Sequence, residues 1–277
     1  MAQPPFNTAA PSAPPHIEVD GQRFAVRFDA EGLEVETASG ERVRLYPWRL
    51  EDHLRALDRR VDAGSGELRF DQEGFGRDVL LASGVSDALS DELWPLALWW
   101  ATGGVPDEPS GEVDPGIVEL GWGRARVRPW TFGERARALA MSTSSRPDGA
   151  KELRLERYLQ AMLDASVVAL DAPDGGELTG ASASALLDAA ARINASSDRE
   201  EDRMARAAGD VDRLFVQMTL RVCRAVGWTP SQVWEAPAIE IDRLLALAAA
   251  LDPPASTDRR PSLADHPDAV VITVEET

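Results

Sequence analysis

The sequence predicts an α+β fold: two related units, each a β-meander followed by helices, and then a helical C-terminal region. Three observations carry this prediction. Apolar residues alternate from His16 to Trp48, switch to three-and-four spacing from Leu50, and repeat the same switch after Ile117. A Pro-Trp dipeptide stands at both switches, as Pro47-Trp48 and Pro129-Trp130, and nowhere else. From Asp198 onward the apolar spacing is helical.

The first meander rests on Ile17 and Val19, then Phe24, Val26 and Phe28, then Leu33 and Val35, then Val43 and Leu45. Alternation of this kind marks half-buried strands. Asp20-Gly21, Ala30-Glu31-Gly32 and Ser39-Gly40 supply the left-handed backbone that tight reversals need. Leu50, Leu54, Leu57 and Val61 then lie on one side of an amphipathic helix. Two more helices are expected, around Phe75 to Val85 and Glu92 to Thr102. Gly103 to Pro115 is dense in Gly, Pro and acids and reads as a linker.

Beyond it, Ile117 to Trp130 reads as a hairpin around Gly121-Trp122-Gly123, with a helix from Thr131 and another from Leu153 to Leu170. Arg44, Pro47, Trp48, Arg55, Ala56 and Leu57 recur at one fixed offset as Arg126, Pro129, Trp130, Arg137, Ala138 and Leu139. Glu67-Leu68-Arg69 answers to Glu152-Leu153-Arg154, and Leu80, Ala82, Ser83 and Val85 to Leu163, Ala165, Ser166 and Val168. An internal duplication is therefore expected.

In the C-terminal region Val211, Leu214, Phe215, Met218, Val222 and Val226 form one apolar stripe ended by Gly227. Thr229-Pro230 opens a short helix through Trp234, as an N-cap with proline in the first turn. A last helix carries Ile241, Leu244, Leu245, Ala248 and Leu251, and Pro253-Pro254 stops it. Ala269 to Val274 is apolar again; it reads as a last strand of the chain's own sheet or as a segment that adds to a partner's sheet. The expected divisions are a flexible tail at 1–15, a first unit at 16–104, a linker at 105–116, a second unit at 117–196, C-terminal helices at 197–252 and a tail at 253–277.

The chain has 277 residues and a formal net charge of −18. That field repels phosphate backbones and anionic lipid, so neither nucleic acid nor a membrane is expected as a partner. The single cysteine, Cys223, forms no internal disulfide. Residues 1–15 lack the basic start and apolar core of a signal peptide, and no stretch has the ~20 apolar residues that span a bilayer. The expected location is the cytoplasm.

No reactive constellation is apparent in the sequence. His16, His53 and His266 are scattered, and no metal or cofactor is expected. His53 reads as a solvated surface histidine, and Cys223 as a core residue. Gly74-Phe75-Gly76 has Val79 where a third phosphate-binding glycine would stand, and reads as a loop ahead of a helix. The acids Asp198, Glu200, Glu201 and Asp202 read as a helix start that complements the helix dipole. Catalysis is not expected; an enzyme using such carboxylates is the reading set aside. The aromatic residues point instead to protein contacts. Trp94, Trp99 and Trp100 crowd one helix and cannot all point inward. Candidate contacts are the exposed member of Trp99 and Trp100, Trp122 in its Gly-flanked turn, and Trp234.

Three segments carry a family resemblance. They are Arg126-Val127-Arg128-Pro129-Trp130-Thr131-Phe132-Gly133-Glu134-Arg135, echoed by Arg44 to Trp48; the helix Leu153 to Val168; and Gly227-Trp228-Thr229-Pro230-Ser231-Gln232-Val233-Trp234-Glu235-Ala236-Pro237. In these the chain resembles small accessory proteins of bacteriophage and phage-like contractile tails, the baseplate and tail-assembly proteins and chaperones. The resemblance implies a non-enzymatic role in building a tail or injection-system baseplate, other tail or baseplate subunits as partners, and incorporation in a phage-like particle if the protein is a component. The alternative is a stand-alone cytoplasmic adaptor or regulatory protein-binding module.

Overall fold

The computed structural model describes residues 16–29, 31–62, 69–103, 116–120, 123–145, 147, 151–171, 178–195 and 211–251. Asp20 and Gly21 take positive φ, 51° and 75°, the two-residue reversal that suits the twist of paired strands. It joins β1 (His16–Val19) to β2 (Gln22–Asp29). With β3 (Gly32–Glu36) and β4 (Arg42–Leu45) they form an antiparallel sheet in the order β1-β2-β3-β4, as the alternation predicts. Phe24, Val26, Leu33, Val35, Val43 and Leu45 are buried along its inner face.

Helix α1 (Leu50–Arg60) follows Pro47-Trp48, and a two-residue strand pair, β5 (Val61–Asp62) with β6 (Arg69–Phe70), leads to α2 (Gln72–Ala82). Asp71 caps α2, its carboxylate accepting from the Gly74 amide at 2.9 Å. Gly74-Phe75-Gly76 is thus buried inside the helix and not in a loop ahead of it. The capping aspartate starts the helix early, and Gly76 lets α3 (Asp87–Thr102) come close: a Cβ there would run into the backbone carbonyl of Trp94. Both helices begin before their expected starts.

The second unit repeats the first down to single hydrogen bonds. Strands β7 (Ile117–Leu120) and β8 (Gly123–Val127) lead through Pro129-Trp130 to α4 (Phe132–Ser142), the pair β9 (Thr143–Ser145) and β10 (Lys151–Leu153), and α5 (Leu155–Ser166). Trp48 meets Phe75 edge to face at 5.9 Å, and Trp130 meets Tyr158 likewise at 5.6 Å. The Asp71 amide donates to the Arg60 carbonyl at 2.9 Å, and the Arg154 amide to the Ser142 carbonyl at 2.8 Å. Each tryptophan indole N–H is buried and finds no acceptor among the described residues. The small strand pairs between helices were not predicted. Two or three residues per strand is too short a run for alternation to register.

A later segment of chain locks each Pro-Trp junction. In the first unit the Leu50 amide donates to Leu178 and the Gly180 amide to Trp48, at 3.0 and 2.8 Å. In the second the Phe132 amide donates to Ala236 and the Ala238 amide to Trp130, at 2.9 and 3.0 Å. The two bridges, Arg49 with Thr179 and Thr131 with Pro237, are antiparallel. They deliver α6 (Gly180–Asn194) to the first junction and α9 (Ala238–Leu251) to the second. Helix α6 was not predicted; its alanine-rich face gives little hydrophobic periodicity.

The predicted helix from Leu153 to Leu170 is two elements. Helix α5 ends at Ser166, and β11 (Val167–Asp171) pairs antiparallel with β8, giving a sheet in the order β11-β8-β7. Leu159, Leu163 and Val167 continue a helical spacing, so periodicity alone cannot mark the break. The adjacent Val167 and Val168 favour the open edge of β8. At the seam between units, the Asp58 carboxylate of α1 accepts from the Glu156 amide at 3.3 Å and from Arg154 Nε at 3.0 Å. A carboxylate from one unit thereby caps the first turn of a helix in the other.

The C-terminal helices are α7 (Val211–Val226), α8 (Pro230–Glu235) and α9. Thr131 and Thr229 each form a capping box, with Glu134 and Gln232. Phe215, Met218, Val222, Val233, Ile241 and Leu245 pack with Phe132, Ala136 and Leu139 of α4 as a third core. Helix α4 is therefore buried on two sides, against its own unit through Trp130 and Ala138 and against the C-terminal region through Phe132. Among the described residues no helix is long and apolar enough to cross a membrane. The tail at 1–15, Trp122, the linker up to Pro115, the acids at 198–202 and the segment 269–274 lie outside the described residues.

Candidate protein-contact surface

Cross-strand register puts Phe28, Leu33 and Leu45 in one row of the first sheet. Leu33 and Leu45 are fully buried, whereas Phe28 is 51% exposed. The Phe28 ring lies over the end of α3, with centroids 6.5 Å from Trp99 and 6.2 Å from Trp100.

The Trp100 indole donates to the Tyr46 carbonyl at 2.9 Å, which fixes the ring against the chain leaving β4. Tyr46 itself is 53% exposed. Its amide donates to Ser83 Oγ at 3.2 Å, so the backbone beneath this ring is held while the ring faces outward. Phe28, Tyr46, Trp99 and Trp100 thus make an aromatic patch at one corner of the first unit. Arg44, on the outer face of the same sheet, is paired with Asp29, Glu31 and Glu34.

Sequence reasoning expected one of Trp99 and Trp100 to be exposed; both are half-buried and both join the patch. Trp234 lies in the third core, its indole donating to Thr219 Oγ1 at 3.1 Å and its ring edge-on to Phe132 at 6.2 Å. It is half-buried, as Trp99 and Trp100 are, and packs against the third core rather than the first. Phe28 and Tyr46, the exposed members of the patch, were not among the expected candidates.

Elsewhere the ionisable groups serve packing. His53 is buried, its ring edge-on to Phe75 at 5.1 Å, which corrects the expectation of a solvated histidine. Burial pushes its imidazole down to about 4, so it is neutral at pH 7. At the equivalent position of the second unit stands Arg135, buried and bound to Asp242 by two hydrogen bonds of 2.6 and 2.5 Å. Glu134, the capping-box acid, is held below the usual carboxylate range by two hydrogen bonds from Arg128, with burial opposing and the Thr131 amide assisting. Cys223 is partly buried against the third core.

A cleft of about 460 Å³ opens where α1, α4 and α5 meet, walled by charges of both signs including Glu51, Arg55, Arg157 and Asp164. Ser142 is among its lining residues, but its hydroxyl is buried with no hydrogen-bond partner among the described residues, and no histidine or cysteine lines the cleft. Among the described residues no three His, Cys, Asp or Glu side chains gather as metal ligands. No protein-family model matches the chain, and no curated protein or solved structure matches it.

Proposed function

We propose that this protein acts without catalysis, by binding another protein through the Phe28, Tyr46, Trp99 and Trp100 patch, as a component or assembly factor of a phage-like contractile tail or injection-system baseplate. The observation that carries the binding role is the patch itself. Aromatic rings half out of water, held by a fixed backbone, on a chain of net charge −18, are the composition that protein interfaces favour. The tail assignment rests on the family resemblance. Two of its segments touch, since Phe132 and Ala238 bridge the strand-to-helix stretch to the end of the Gly227 to Pro237 stretch. That contact supports reading them as one module.

The test is affinity purification of the tagged protein from its native cell while particles are being made, with mass spectrometry of what comes with it. Sheath, tube or baseplate subunits are expected, and the protein's presence in finished particles distinguishes a component from a chaperone. Recovery of unrelated proteins alone returns the stand-alone adaptor and removes the tail assignment.

A further inference from the structure

The aromatic patch is not only apolar, because two of its hydrogen-bond donors are unused. The Trp100 indole is occupied by the Tyr46 carbonyl, but the Trp99 indole N–H and the Tyr46 hydroxyl have no hydrogen-bond partner among the described residues. The indole N–H groups of Trp48 and Trp130 also lack an acceptor there, but those two are sealed from water. Trp99 is only half-buried and Tyr46 is 53% exposed. The surface therefore offers rings and donors together, and a segment that fits it brings apolar ridges and acceptors.

A polyproline II backbone has that composition. It makes no internal hydrogen bonds, so its carbonyls stay free, and each proline lacks the N–H that would find no acceptor here. A helix uses its carbonyls internally, and a strand needs backbone partners where this patch is built from side chains. Aromatic rings are the surfaces on which proline ridges dock. Charge then sets the flank of the segment. Asp29 follows Phe28 directly, and the Glu31 side chain beyond it is exposed. These two and Glu34 share Arg44, and Arg27, opposite Glu34, is the other cation of that row. Carboxylates thus outnumber guanidiniums beside the patch, on a chain of net charge −18. A basic flank is attracted and an acidic one repelled.

We infer that the segment this patch takes from its partner is proline-rich, in the polyproline II form, with arginine or lysine at one end, and that its carbonyls accept from Trp99 and Tyr46. This rests on the patch being the contact surface and adds the chemistry of what docks there.

The experiment is a peptide titration of the nitrogen-15-labelled full chain, followed through the tryptophan indole N–H signals. The probes are three acetylated, amidated peptides: eight prolines followed by two arginines, eight prolines followed by two glutamates, and a glycine-serine repeat of the same length ending in two arginines. The proline-arginine peptide is expected to shift the Trp99 and Trp100 signals, to leave that of Trp234 in place, and to bind about tenfold more tightly than either of the others. Trp99→Phe and Tyr46→Phe keep the rings and remove one donor each; read at Trp100, each is expected to weaken binding about threefold. Absence of any shift at Trp99 and Trp100 overturns the inference. So does equal binding of the glycine-serine peptide or of the glutamate peptide, or unchanged affinity in both donor variants. Recovery of the native partner by protein with and without Phe28 and Tyr46 tests the patch separately: a patch that holds its partner but not the proline-arginine peptide removes this inference and leaves the contact surface standing.

Discussion

His53 stays uncharged at neutral pH because α1 carries it under Phe75 rather than into solvent. An unfolded chain takes up this proton near pH 6.5, the folded chain only near pH 4. Stability is therefore full at pH 7 and falls as the pH drops through that window. Between pH 7 and pH 5 the loss from this group is about 2 kcal/mol. Urea unfolding at the two pH values reads it directly: the wild-type chain is expected to lose this increment, and His53→Leu is not. Sequence reasoning placed His53 at the surface because Asp52 beside it is polar. Its burial depends on Phe75, from a helix whose start was not placed, and that contact has no trace in local spacing. The tryptophans were more legible. Two Pro-Trp pairs at matching switches of period marked Trp48 and Trp130 as equivalent, and both are buried at strand-to-helix junctions.

Helices α4 and α9 are joined by a fully desolvated Arg135 and Asp242 pair. Its value lies mainly in what is left when one partner goes. Asp242→Ala leaves a buried guanidinium unpaired and is expected to cost about 3–5 kcal/mol, measured as a fall in the urea midpoint followed by circular dichroism. Arg135→Met combined with Asp242→Leu fills the site with apolar volume and is expected to regain most of it. Element by element, legibility followed the strength of the local signal. The first meander, the capped helix from Thr131 and the short helix from Thr229 were read correctly because turn glycines and capping threonines are local devices. Strand β11 was read as helix because its pairing with β8 is a non-local choice that Leu159, Leu163 and Val167 do not announce. Helix α6 was missed although it locks the first junction, since Thr179-Gly180 resembles Pro237-Ala238 in hydrogen bonding and not in residue type.

At the scale of the molecule, the two units are tied by Asp58 capping α5 and by later helices returning to both Pro-Trp junctions. Each Pro-Trp junction takes hydrogen bonds from chain later in the sequence. The first unit carries an aromatic corner made by Phe28, Tyr46, Trp99 and Trp100. The adjacency of Trp99 and Trp100 marked that not all of their surface could be buried, and both are half-buried. Phe28 and Tyr46 were not marked in this way, because their exposure follows from tertiary packing that alternation does not encode.

The central claim is that this corner binds a baseplate subunit. Its most direct test compares recovery of that subunit by wild-type protein, by Phe28→Ser with Tyr46→Ser, and by Leu251→Ser, a change at a residue 83% exposed on α9. Thermal melting is measured for all three to hold the fold constant. We predict that the double variant retains the wild-type melting curve and loses about tenfold in affinity or more, the scale of interface aromatic anchors, while Leu251→Ser binds as the wild type does. Equal binding by all three proteins would contradict the claim.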